Sequence, residues 1–413
     1  MRIQSGVSLL LLSLCGPSLF AAEADLDASI AKNRMGTLVI RTTPGAKVSV
    51  EQIRHEFWFG ATLPGSIFTG QASPEDVAKF KAIFTSHFNA GVIEGDFKWH
   101  AMERERGHVN YSIVDSMLAW ADQQGIPLRG HCIFWGVPDR VQDWLKELPD
   151  DQMRMAMEQR ARSIGARYRG RFAEYDLNNE MIHANYYEQR LGPGFIKQMA
   201  QWVKEGDPNA RLFVNDYDIL TGNRLDDYVK HIQKLQAMGV PIAGIGVQGH
   251  LHGDSFDAAA LQNALDELAK FNLPIRVTEF NFPGQRSKYY TTDRQGKLSP
   301  EEEQAKAAAL KQYFRICFAH PAVAGIMMWG FWEGANWIPQ SSLYKRDWTP
   351  TPAAEAYRDL VLKQWWTRWS GQANADGYVV LRAFYGKHRV TVNGKQTVVT
   401  LPKSEGIKLV ELN

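Results

Sequence analysis

Apolar positions along this chain fall into short runs that alternate with stretches of helical periodicity. From residue 57 onward the alternation recurs eight times, with strand-like runs at 57–62, 88–93, 128–135, 172–180, 211–216, 242–250, 275–279 and 323–330. Runs of that length, bounded by turn residues, suit strands covered on both faces. The helices between them have readable starts. Ser73-Pro74-Glu75-Asp76 and Ser299-Pro300-Glu301-Glu302 each set a capping serine before a proline at the first helical position. Val114, Met117, Leu118 and Ala121 give one helix an apolar stripe. Pro127, Pro241, Pro274 and Pro321 stand just before strands, where proline is tolerated. Eight β/α units in one repeated grammar predict an α/β fold, a closed (β/α)8 TIM barrel over residues 57–369.

The ends read differently. Residues 37–55 and 377–413 alternate apolar and polar positions, with turns such as Asn393-Gly394. The segments 25–56 and 370–413 are therefore expected to pair into a small β layer beside the barrel, with Trp365, Trp366 and Trp369 sealing the joint. Residues 1–24 read as a signal peptide: Arg2, an apolar stretch at 7–14 and the small-residue pattern Ala22-Glu23-Ala24. No later run reaches the roughly 18 apolar residues of a membrane helix. A secreted or periplasmic protein with no membrane partner is expected.

A formal net charge of +2 without a basic stripe argues against nucleic acid as a partner. The densest basic run, residues 160–171, reads as a solvated helix face. Cys132 and Cys317 read as buried free thiols. No cofactor or metal is expected. The glycines of GIGVQG (244–249) lie inside a strand instead of opening a helix, and His250 with His252 lacks further ligand-spaced partners.

Chemistry gathers at the carboxyl ends of the strands, where barrels of this kind carry their active sites. Glu180 and Glu279 each close a strand. Paired carboxylates there are the equipment for breaking a glycosidic bond, and Asn179 offers an amide to a sugar hydroxyl. The other strand ends add Glu94, Lys98, His131, Trp135, Asn215, Asp216, Gln248, His250 and Trp329. Any one of these alone reads as a structural residue; their concentration on one face does not.

The runs RGHCIFW (129–135), NNE (178–180), NDY (215–217), GIGVQGH (244–250) and TEF (278–280), with Trp329 and Trp337, together resemble glycoside hydrolase family 10. That is the family of retaining endo-β-1,4-xylanases, and the resemblance is closest to its plant-like branch. It implies that Glu180 is the acid/base and Glu279 the nucleophile. His250 would hydrogen-bond the nucleophile and Asn179 a 2-hydroxyl. Lys98 and His131 would contact sugars on the non-reducing side, Trp329 and Trp337 would wall the rings, and Trp135 would support them. Asn215 would order the neighbouring strand ends. The implied partner is a polysaccharide, xylan or a related β-glycan, handled by a monomer.

Three positions depart from the family pattern. Gly95 stands where asparagine is usual, Gly136 where a second histidine is usual, and Asn281 where aspartate is usual. The two glycines are expected to open space in the cleft, admitting a side-branched xylan or a related β-linked polymer. Asn281 removes a negative charge near His250. Two other readings stay open: a hydrolase of another β-linked glycan, and a non-catalytic polysaccharide-binding barrel.

Overall fold

The computed structural model describes residues 17–251 and 255–412, with side chains from residue 25. The signal expected over 1–24 lies outside the described residues up to residue 16, as does His252.

Parallel strands close into a ring. In chain order they are Trp58–Leu63, Ala90–Ile93, Leu128–Gly130 with Phe134–Trp135, Glu174–Asn179, Leu212–Asp216, Ile242–Val247, Ile275–Phe280 and Val323–Met328. Each pairs with its sequence neighbour, and the last pairs with the first. Helices run between the strands, so this is a (β/α)8 TIM barrel. The third strand, expected as one run over 128–135, is split. Residues 131–133 leave the ladder because His131 turns to Asp176, and Ile133 N–H donates to the Asp176 carbonyl at 2.9 Å.

Local sequence explains the helices. Ser73 caps the helix Pro74–His87 by accepting from Asp76 N–H at 3.1 Å. Ser299 and Glu302 form a reciprocal capping box at the start of Pro300–Ala319. Val114, Met117, Leu118 and Ala121 are the buried face of Ser112–Gln123. The basic run at 160–171 departs from expectation at Arg160, which is 5% exposed and donates to the Phe97 carbonyl at 2.8 Å. It ties the helix Asp150–Arg167 to the loop carrying Lys98. Cys132 and Cys317 are free and buried.

The terminal segments form two sheets instead of one layer. Met35–Arg41 lies between Tyr378–Phe384 and Ile407–Glu411, while Lys47–His55 lies between Arg368–Gln372 and Gly386–Val392, with Lys395–Leu401 at the edge. Alternate residues Leu38, Ile40, Val48, Val50, Leu381, Val390 and Leu401 point inward to a shared core. At the joint, the buried Arg34 donates to the carbonyls of Phe318 and His320 at the end of the last long barrel helix and to that of Val323 in the strand after it. Trp365 stacks on Phe318 at 4.3 Å, Trp366 meets His55 edge-on, and Trp369 packs on the sandwich core.

Candidate active site

Residues at the strand ends line one cleft of about 910 Å³. Strand register brings three of them level: Trp135 pairs with Asn179, and Asn179 with Asn215. Two glycines make room for this. A Cβ on Gly246 would stand 2.7 Å from Asn215 Oδ1. Gly249, at φ +77°, turns the chain between Gln248 and His250. The glycines of GIGVQG thus serve side-chain approach and a sharp turn.

Glu180 sits at φ +61°, a conformation that costs a non-glycine residue roughly 1 kcal/mol and aims its side chain into the cleft. Trp135 Nε1–H donates to one carboxyl oxygen and Gln248 Nε2–H to the other, both at 2.8 Å. Burial raises its pKa above the ordinary glutamate value, and the charges of Glu279 and Asp216 add to this against the two donors.

Glu279 is held the other way. Asn215 Nδ2–H donates to Oε1 at 2.9 Å, and His250 Nε2 lies 3.1 Å from Oε2. Burial alone would push the carboxyl up; His131, His250 and Lys98 overcome it and hold it down at about 2. His131 lies 3.9 Å from Glu279 Oε1 and donates through Nδ1 to the buried Asp176 at 2.8 Å. Asn215 is fixed in turn: it donates to Asn179 Oδ1 at 3.0 Å and accepts from Thr278 Oγ1 at 2.6 Å. One carboxyl is therefore biased toward its acid form and the other toward its anion. That is the asymmetry general-acid and nucleophilic work requires.

Asn281 Oδ1 lies 3.0 Å from His250 Nδ1. An asparagine there can serve either form of the ring, accepting from a protonated imidazole or donating its amide N–H to a neutral one. An aspartate could only accept.

The rest of the cleft is aromatic and cationic. Trp329 meets His131 edge-on at 5.2 Å, and Trp337 packs on His250 at 5.1 Å. Trp337 Nε1 is buried and has no hydrogen-bond partner among the described residues. Lys98 Nζ lies 4.6 Å from the centre of the Trp135 ring. Glu94 is half-buried; burial pushes its carboxyl up to about 7, with Lys98 opposing and Asp96 and Glu279 adding.

The two glycine departures have different outcomes. A Cβ at Gly95 meets nothing within 4 Å, so space does open there. At Gly136 it would meet Tyr187 at 3.2 Å and Tyr186 N at 3.4 Å. That space is already filled, which corrects the expectation of an opening at Gly136.

Sequence reading passes over several residues of the site. Asp176 supports His131 and carries a signal, since it stands four residues before Glu180 on the inward face of the same strand. Tyr217, His100, Arg104 and Arg140 also line the cleft. They sit outside the barrel strands, where no periodicity marks an inward side chain.

Comparisons place this geometry among known proteins. The model of glycosyl hydrolase family 10 matches residues 51–360. The anti-sigma-I factor RsgI6 of Acetivibrio thermocellus is 34% identical over 348 residues, covering 84% of this chain and 42% of that protein. Endo-1,4-beta-xylanase 1 of Arabidopsis thaliana is 34% identical over 352 residues, covering 84% of this chain and 34% of the relative. The chain thus spans less than half the length of these two curated relatives. Xylanase 10B from Thermotoga maritima superposes with a TM-score of 0.66 at 23% identity, covering 75% of this chain and 96% of that one, which shows the shared fold. With the family model spanning the barrel, its strand-end glutamates included, the chain belongs to glycosyl hydrolase family 10.

Proposed function

We propose that this protein is a secreted, retaining endo-glycosidase that hydrolyses β-1,4-xylosidic linkages in xylan, including substituted xylan. The observation that carries the reading is two carboxyls lining one cleft, Glu180 held by Trp135 and Gln248 and Glu279 by Asn215 and His250, with the first biased toward its acid and the second toward its anion. Membership of a family whose matched plant relative is called a xylanase supports the choice of polymer.

In the first step the Glu279 carboxylate attacks the anomeric carbon while Glu180 gives its proton to the departing glycosidic oxygen. The C–O bond to the leaving sugar breaks and a glycosyl ester on Glu279 forms. Water then attacks the same carbon, losing its proton to Glu180 and releasing the Glu279 carboxylate. Asn179 lies beside Glu279 through Asn215, placed to bind a hydroxyl as charge develops at the anomeric carbon. Export rests on the charged start and apolar stretch of residues 1–24.

The test is reducing-sugar release from xylan, β-glucan and mannan, with the chain lengths of early products. Short xylo-oligosaccharides of mixed length from the first minutes are expected. Release from glucan or mannan with xylan untouched would overturn the choice of polymer.

A further inference from the structure

The opening at Gly95 lies on the wall of the cleft that also carries Lys98, Arg104 and Arg140. A Cβ at Gly95 would meet nothing within 4 Å, so this wall has room that a larger residue would take. No salt bridge reaches Lys98, Arg104 or Arg140 among the described residues; the Glu94 and Asp96 carboxyls line the same cleft and act on Lys98, and Asp96 on Arg104, from farther off. Two of them crowd one aromatic ring: Lys98 Nζ lies 4.6 Å and the Arg140 guanidinium 5.3 Å from the centre of Trp135. Like charges gathered on a single indole repel each other, and an anion between them removes that repulsion. The same Trp135 donates to Glu180, so this wall adjoins the reacting atoms.

Neutral pyranose rings bind through aromatic faces and hydroxyl hydrogen bonds, for which Lys98 suffices, and have no special use for two further arginines. A carboxylate does, above all where a planar guanidinium can present two parallel donors. We propose that this wall takes a carboxylate-bearing sugar branch, a uronic acid on the xylan backbone, with its ring in the room beside Gly95 and its carboxylate among Lys98, Arg104 and Arg140. The proposal rests on the xylan reading above and names the branch its cleft selects.

The experiment compares kcat/KM for three oligosaccharides: linear xylo-oligosaccharide, the same chain with one uronic acid branch, and that branch with its carboxyl reduced to the alcohol. The acid-branched substrate should exceed its reduced form by about tenfold or more, the scale of a charge-assisted hydrogen bond. The double variant Arg104→Ala/Arg140→Ala, at two exposed positions, should bring that ratio near one. Gly95→Asn should lower both branched substrates relative to the linear one by filling the room. An unchanged rate on carboxyl reduction, or a ratio that survives loss of both arginines, would overturn the acidic subsite while leaving xylan hydrolysis standing. Failure to cleave any of the three would remove the xylan reading and the subsite together.

Discussion

Lowering the pH from 7 to 4 should attack the joint between barrel and sandwich before it attacks the chemistry. His388 is fully buried, and His55 on the neighbouring strand is packed edge-on against Phe59, Trp366 and Phe384. Burial pushes His55 from 6.5 down to about 3 and His388 from 6.5 down to about 4. Both are neutral in the fold, whereas the unfolded chain binds their protons from pH 6.5 downward. Their contribution is therefore fully present above pH 6.5 and lost as the pH falls toward the folded values. For His388 alone, the step from 6.5 to 4 costs about 3 kcal/mol, against a typical total stability of roughly 5–15 kcal/mol. Glu279, held at about 2, stays ionised across that range. Ionisation of the nucleophile therefore does not set the acid limit of activity. Urea unfolding followed by tryptophan fluorescence at pH 7, 5.5 and 4 tests this in the wild type and in His388→Leu, which removes the titrating ring. The wild type should lose about 3 kcal/mol more than the variant between pH 7 and 4. Equal losses in the two proteins would refute the reasoning.

Three further substitutions probe the site. Trp135→Phe removes a donor that favours the ionised form of Glu180, so the basic limb of kcat/KM should move to higher pH while the rate falls about tenfold; a limb that moves to lower pH contradicts the assignment. Asn215→Ala takes a hydrogen bond from the Glu279 carboxylate and leaves Asn179 unsupported, predicting a roughly ten- to hundredfold loss in kcat/KM. Gly246→Ala drives a methyl against Asn215 Oδ1 and should reproduce most of that kinetic loss without touching a reacting group; wild-type kinetics in this variant would show that Asn215 need not be held.

Residue pattern carries the barrel because each strand is a buried apolar run between capped helices, and burial on both faces leaves no other periodicity. Glu180 and Glu279 are legible for the converse reason: an ionisable group ending such a run gains nothing from the core. The break in the third strand is hidden because His131 looks like a strand residue until Asp176 is known to stand opposite it. The sandwich reads as one layer, since alternation tells which face is buried but not which strands share a sheet. Gly136 suggests open space only while Tyr187, far along the sequence, is out of view. The sequence neighbours of Arg160 point it to solvent, whereas its partners Phe97 and Ile133 come from other strands and loops. Partners distant in sequence decide each of these cases.

The central claim is that Glu279 becomes covalently bonded to the sugar while Glu180 handles the proton. A 2-deoxy-2-fluoro xylobioside with an activated leaving group slows the second step more than the first and so traps the intermediate. Digestion and mass spectrometry of the inactivated protein should place one sugar adduct on the peptide containing Glu279. An enzyme that turns over xylan yet carries no adduct there, or carries it on Glu180, would contradict the account.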